Sequence, residues 1–318
     1  MKLRTEKQHV SEKQIFRIND CLLVRDSVLA PLVRFGTGGK ALFYAEPTTI
    51  EQVQQLISFA CAQHLPCFVL GWGCNMLVSD AGVPGLVLRL SGDFKKISFD
   101  HKLCTVTAGG GVPLIKLGLA IARRGYGGCA YMGVIPGTVG GAVRMNAGIG
   151  PGQEIQNHFV SALLFDTTAQ KVITVDAHSM AFGYRSSLLV HRKAVVLSAT
   201  FQLPEQRASG DAALQAIRQI HAQRRQRQPK NWRTFGSVFQ NPAGAAQRAG
   251  WYLERVGMKG MAIGGALVPH EHANWIINTG TATSKDAQNL IAVAQQRVFE
   301  KFGILLEREV VYMPEDLI

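Results

Sequence analysis

Two glycine-dense stretches hold the residues whose types and spacing suit the binding of a phosphorylated ligand. In VIPGTVGGAVRMNAGIG (134–150), Gly137, Gly140, Gly141 and Gly148 remove Cβ atoms at close spacing, and Pro136 fixes one φ angle ahead of them. Glycine costs chain entropy wherever it stands, so a dense run marks a place that something must approach closely. The freed backbone N–H groups, with Thr138 and Asn146, can donate to phosphate or to the polar edge of a ring. In GWGCNMLVSD (71–80), Gly71 and Gly73 permit a tight turn after the apolar run CFVLG, and Asn75 and Ser79 add side-chain donors. A strand feeding a glycine turn commonly presents N–H groups to a pyrophosphate.

Other motifs carry less. Gly36-x-Gly38-x-x-Ala41 is a nominal dinucleotide fingerprint, but no helix follows Ala41 before Pro47, so it is not a Rossmann site. His270-Glu271-His272 has no partner at zinc-ligand spacing, so no metal is expected. Cys21, Cys61, Cys67, Cys74, Cys104 and Cys129 show no C-x-x-C spacing and read as reduced, mostly buried thiols.

The chain has 318 residues, 47% of them hydrophobic, and a net charge of +12, which implies acidic partners. The denser basic run HAQRRQRQPKNWR (221–233) has few aromatics around it for base stacking, which favours small polyphosphate anions over nucleic acid. The N-terminus lacks the apolar run of a signal peptide, and no stretch of about 18 apolar residues suggests a membrane span. The expectation is a cytoplasmic protein; the sequence does not give its oligomeric state, with a monomer favoured.

Of the elements that must position the glycine turns, residues 1–30 read as a lead-in arm and 31–47 as two short strands around a turn. Thr48 and Glu51 form a capping box for a helix to His64, and Pro113–Arg124 is a second helix closed by Gly125. Strands are expected at 67–71, 85–90, 97–99, 103–111, 160–166, 171–176 and 194–203. After Pro204 come an amphipathic helix (211–229) with Leu214, Ile217 and Ile220 on one side, a turn at 234–242 and a helix near Ala245–Val256. The strand WIIN (275–278), a helix capped by Thr283 and Asp286 and ended by Gly303, and a strand over 304–313 complete the chain. This is an α+β pattern divided into an arm (1–30), a first domain (31–205) and a second domain (206–318).

Seven segments in order, GWGCNMLVSD, GVIPGTVGGAVRMNAG, FGYRSS, GSVFQNP, AGWYLERVGMKGMAIGGA, HANWIIN and FGILLEREV, resemble the UDP-N-acetylenolpyruvoylglucosamine reductase family over about Leu32–Val310. The resemblance implies an FAD-binding domain of the vanillyl-alcohol-oxidase (PCMH) type followed by a C-terminal α+β substrate-binding domain. Its cofactor residues would be Gly71, Trp72, Gly73, Cys74, Asn75, Met76 and Leu77 in the first turn, with Ala142 and Ala147 joining Pro136, Gly137, Thr138, Gly140, Gly141, Asn146 and Gly148 in the second. It also implies NADPH as hydride donor to FAD, and transfer of that hydride from flavin N5 to the enolpyruvyl group of a UDP-sugar, giving UDP-N-acetylmuramate for peptidoglycan.

The carbanion that results from hydride transfer requires preorganised donors and a positioned acid. By motif match, Arg185 polarises the carboxylate through its planar fork, Ser237 donates the proton, and Glu309 completes the site. Glu307 falls on the same face as Glu309 if 304–313 is one strand. Tyr184, Gln240 and Asn241 match substrate-side positions. Cys74 replaces a usual serine, Gln240 a usual lysine, and Val311 stands where arginine is common. The tyrosine loop of the larger subtype is not evident, which puts the chain in the shorter subtype. Cys74 and Gln240 motivate an alternative, a non-catalytic flavin- or UDP-sugar-binding relative acting as a sensor or assembly partner. A flavin oxidase is a third reading, disfavoured because 134–150 lacks the histidine or cysteine that commonly tethers the flavin.

Overall fold

The computed structural model of the protein describes residues 15–18, 20–204 and 208–317. In chain order the first part contains β1 (Ile15–Ile18), β2 (Cys21–Val28), β3 (Lys40–Ala45), α1 (Ile50–Ala62), β4 (Cys67–Val69), β5 (Met76–Val78), β6 (Val83–Leu88), β7 (Ile97–Asp100) and β8 (Thr105–Gly109). Next come α2 (Leu114–Ala122), α3 (Val139–Arg144), β9 (Gly148–Gly150), β10 (Gln153–Glu154), β11 (Phe159–Asp166), β12 (Lys171–Asp176), β13 (Ala194–Gln202) and α4 (Gly210–Arg227). The rest is β14 (Arg233–Ser237), α5 (Ala249–Arg255), β15 (Ala262–Ile263), β16 (Ala266–Leu267), β17 (Trp275–Asn278), α6 (Ser284–Phe302) and β18 (Val311–Met313).

Three sheets form the frame. The first, ordered β1-β2-β3-β6-β4, is antiparallel at its β1 end and parallel where β6 pairs with β3 and β4. Val53, Leu56, Ile57 and Ala60 of α1 recur at helical spacing and pack in one core with Leu23, Leu86 and Leu88 of this sheet. The second sheet, β12-β11-β13-β8-β7, is antiparallel throughout, and α2 and α3 share its core. The third, β14-β17-β16-β15, packs against α5 and α6 around Phe235, Leu253, Ile276 and Leu290. The last strand, β18, returns to pair in parallel with β5, directly after the first glycine turn.

Several expectations need correction. Residues 15–18 and 21–28 are not an arm: β1 pairs with β2 and β2 with β3, so both strands belong to the first sheet, while residues 1–14 and 19 lie outside those described. The segment 31–47 holds one strand, β3, because Gly36 and Gly38 at φ +81° and +134° break up the residues ahead of it. The α1 cap is Thr49, whose side chain accepts from Gln52 N–H, and Thr48 instead donates to the Gln52 side chain. Residues 234–242 begin as strand, since Thr234 and Phe235 are buried against β17. The expected strand 304–313 shrinks to 311–313, preceded by a single bridge from Arg308 to Phe239. The boundary at 205/206 falls on residues outside those described, and α4 does not side with the third sheet. Ala213 and Ile217 of α4 are buried with Ala122, Ala130 and Val134 of the first half. Of the cysteines, only Cys21 and Cys129 are fully buried, and Cys61 and Cys104 are exposed. No described helix is long and apolar enough to cross a membrane.

Candidate active site

The two glycine stretches meet. A Cβ on Gly71 would lie 2.6 Å from Thr138 Oγ1, and one on Gly73, at φ +58°, would lie 2.6 Å from Val33 Cα. The second stretch is only partly a loop. Thr138 accepts from Gly141 N–H at 3.4 Å and caps α3, a short helix that the density of glycines conceals in the sequence. Gly137, at φ +126°, has open space where a Cβ would stand.

Both stretches line one cavity of about 1170 Å³, and Arg185, Ser237 and Glu309 line the same cavity from elsewhere in the chain. Arg185 sits at φ +54° in the tight turn bridged by Gly183 and Ser186. Its Nε donates to Glu309 Oε1 at 2.9 Å and its Nη2 to Gly148 O at 3.0 Å. Its Nη1 is buried and has no hydrogen-bond partner among the described residues. A buried charged donor left without a hydrogen bond is costly, and Glu154 Oε1 stands 3.8 Å from Nη1, beyond hydrogen-bond reach. Glu309 N–H is held by Val238 O at 2.8 Å. Burial pushes the Glu309 carboxyl above its usual range, and the Arg185 guanidinium offsets only part of that. Ser237 ends β14, where the register with β17 slips and Gly236 adopts φ +89°. That irregularity turns the strand end toward the cavity. The Ser237 hydroxyl has no hydrogen bond among the described residues, so it is free to meet a ligand.

Most of the residues selected from the sequence gather here. Trp72, Cys74, Asn75, Met76, Pro136, Gly140, Ala142 and Ala147 line the cavity, as do Tyr184 and Asn241. Three do not. Leu77 is buried beside Phe235 in the third-sheet core. Asn146 is fully buried and ties Gly183 O to Gln156 N–H, at 2.9 and 3.0 Å, which makes it a strut under Arg185. Gln240 lies off the cavity wall, its N–H paired with Glu307 O at 2.9 Å. Glu307 itself is exposed and away from the cavity, because strand parity does not extend through 307–309.

Sequence reasoning missed other wall residues. Arg224 lies four residues beyond Ile220, so extending the apolar stripe of α4 by one turn would have found it. Burial, and then proximity to Arg185, push its guanidinium below the usual range. Arg144, Lys259, Trp251 and Trp275 also line the cavity. His272 does too; its Nδ1 accepts from Asn274 N–H at 3.1 Å, so the neutral ring carries its proton on Nε2. Burial first, then Lys259, push its pKa down.

A Cβ-poor double wall, a buried guanidinium nitrogen without a hydrogen bond and further cations suit a dinucleotide cofactor, and the architecture is that of a two-part FAD-binding flavoprotein. Residues 41–175 match the family model described as FAD binding domain, and residues 228–313 match that described as UDP-N-acetylenolpyruvoylglucosamine reductase, C-terminal domain. The chain is 40% identical over 285 residues to the UDP-N-acetylenolpyruvoylglucosamine reductase of Synechococcus sp. (strain JA-3-3Ab), covering 89% of this chain and 88% of that one. It is 38% identical over 275 residues to UDP-N-acetylenolpyruvoylglucosamine reductase 2 of Symbiobacterium thermophilum, covering 86% of each. The crystal structure of UDP-N-acetylenolpyruvylglucosamine reductase from Thermus caldophilus superposes with a TM-score of 0.75 at 30% identity, over 95% of this chain and 100% of that one. The chain belongs to the UDP-N-acetylenolpyruvoylglucosamine reductase family. Its fold is accordingly an FAD-binding domain followed by the family's C-terminal domain, with mixed α+β content.

Proposed function

We propose that the protein is the FAD-dependent oxidoreductase that reduces UDP-N-acetylglucosamine enolpyruvate to UDP-N-acetylmuramate with NADPH, in peptidoglycan precursor synthesis. The observation that carries this reading is the Arg185–Glu309 contact at 2.9 Å, which joins residues 124 positions apart in a cavity shared with Ser237. Gly71, Gly73, Asn75 and the Gly137–Ala142 segment would hold the cofactor, since an added Cβ at Gly71 collides with the opposite wall and one at Gly137 would project into open space. FAD, when bound, would supply the hydride chemistry that links NADPH to the enolpyruvyl group.

The residues of the chain do the rest. Arg185 Nη1 donates to the substrate carboxylate and stabilises the charge that develops beside it, while Nε and Nη2 keep the fork fixed. Glu309 orients that fork. The Ser237 hydroxyl gives its proton to the carbon next to the carboxylate, relying on position and on the basicity of that carbon. Tyr184 and Asn241, in contact at 3.3 Å, would bound the substrate side. The cavity exceeds the roughly 300–1,000 Å³ usual for a single small ligand, as a site holding a cofactor and a nucleotide in turn requires. Gln240, turned off the wall, withdraws one motive for a non-catalytic reading.

The test is anaerobic: NADPH should bleach the yellow holoenzyme, and the enolpyruvyl sugar should then restore its colour. Protein that bleaches and stays colourless with the sugar is not this reductase.

A further inference from the structure

Glu154, which no motif singled out, stands beside Arg185 Nη1. Its Oε1 is 3.8 Å from that nitrogen, and both side chains are only 15% exposed. The carboxylate reaches there because its partner across the β9–β10 ladder is Gly148: a Cβ on Gly148 would lie 2.5 Å from Glu154 Cγ. The rest of Glu154 is tied down locally. Its side chain accepts from Asn157 N–H in a capping box, Gln156 Nε2 donates to its Oε2 at 2.9 Å, and Tyr131 Oη donates to its carbonyl at 2.7 Å.

At 3.8 Å without a hydrogen bond, Glu154 does not orient the guanidinium, which Glu309 and Gly148 O already fix through Nε and Nη2. What Glu154 contributes is charge, 3.8 Å from the guanidinium that an incoming carboxylate must meet. Substrate and product carry the same carboxylate, and an arginine in a cleft with little water would hold either one hard. We infer that Glu154 sets the affinity of the site for carboxylates, weakening the grip of Arg185 so that the acidic product leaves. This role presupposes the reaction proposed above.

The substitution Glu154→Gln keeps the size and an acceptor for the cap and removes only the charge. Calorimetric titration of oxidised holoenzyme with UDP-N-acetylmuramate should give binding about tenfold tighter in this variant, the scale of one like charge a few ångströms away in a partly screened cleft. UDP-N-acetylglucosamine, which lacks the carboxylate, should bind both forms within about twofold, a control that a merely distorted cleft would fail. Glu154→Asp, which keeps the charge, should stay near wild type with both ligands. Unchanged or weaker binding of UDP-N-acetylmuramate by Glu154→Gln overturns the role, and so does an equal gain for both ligands. Holoenzyme that binds no UDP-N-acetylmuramate in either wild type or Glu154→Gln overturns the proposed reaction itself, and this role with it.

Discussion

Replacing Arg185 with lysine tests the geometry most directly, because it preserves the charge and removes the fork. Arg185 divides three nitrogens among three tasks: Nε holds Glu309 at 2.9 Å, Nη2 holds Gly148 O at 3.0 Å, and Nη1 remains for the ligand. A lysine ammonium presents its protons from one point on a flexible stem and cannot span the same two anchors while facing the cavity. Two charge-assisted hydrogen bonds are therefore lost, at about 1.5–3 kcal/mol each. If that loss falls on the transition state, a total of about 3–6 kcal/mol slows the sugar-dependent step by roughly 10²–10⁴-fold, at about 1.4 kcal/mol per tenfold. Stopped-flow absorbance separates the two half-reactions. Bleaching by NADPH should stay within a few-fold of wild type, since it needs no carboxylate contact, while recolouring by the enolpyruvyl sugar should show the full deficit. A variant that recolours at close to the wild-type rate removes Arg185 from the mechanism. Equal damage to both steps would mean that the residue serves the structure or the cofactor.

Ser237→Ala should leave bleaching nearly intact and slow recolouring by about 10²–10⁴-fold, the usual contribution of a positioned acid; equal loss in both traces refutes a proton-donor role. Burial raises the Glu309 pKa above its ordinary value near 4.3, so as pH falls the carboxylate is lost early. The acid limb of the recolouring rate should accordingly lie above the usual carboxylate range and vanish in Glu309→Gln; a limb that persists in the variant belongs to another group. Gly71→Ala should raise the FAD dissociation constant by at least tenfold, because its Cβ would meet Thr138 Oγ1 at 2.6 Å and push the two walls apart. Fluorescence of released flavin measures this, and wild-type affinity would show that the turn yields without cost.

The parts of the fold that were legible in the sequence are those governed by local chemistry. The capping box of α6 and its left-handed Gly303, at φ +67°, arise from Thr283, Asp286 and Gly303 alone. Strands β11, β12 and β13 arise from runs of branched apolar residues. Misreadings arose where a distant partner decided the outcome. Residues 304–310 look like strand, yet only one bridge joins them to residues 238–240, just past β14, because their backbone groups are used by Val238 and Gln240 one contact at a time. The basic run at the end of α4 points to small anions without selecting a residue, and only the packing of the helix with Ala130 and Val134 brings Arg224 to the cavity. In the site, the family motif selected Arg185, Ser237 and Glu309, but spacing could not select Glu154, whose role exists only because Gly148 lets it past.

The site has no residue set that one half of the chain could assemble alone, and polar contacts close it alongside the apolar packing of Phe35 and Leu77 against Phe235. Asn75, in the first glycine turn, donates to Glu309 O at 2.8 Å and accepts from Val311 N–H at 3.0 Å. Asn278 donates to Phe35 O at 2.9 Å, and Asp80 accepts from the N–H groups of Ser284 and Lys285 at 2.9 and 3.0 Å. Apolar packing tolerates small slips, but directional hydrogen bonds between elements more than 200 residues apart fix a register. Because Asn75 belongs to the turn that lines the cofactor wall and also holds the segment bearing Glu309, movement of that turn must move Glu309 against Arg185. The first glycine turn and the Glu309 carboxylate are thus positioned by the same residue, and this is the physical reason that the site belongs to the whole chain rather than to either half.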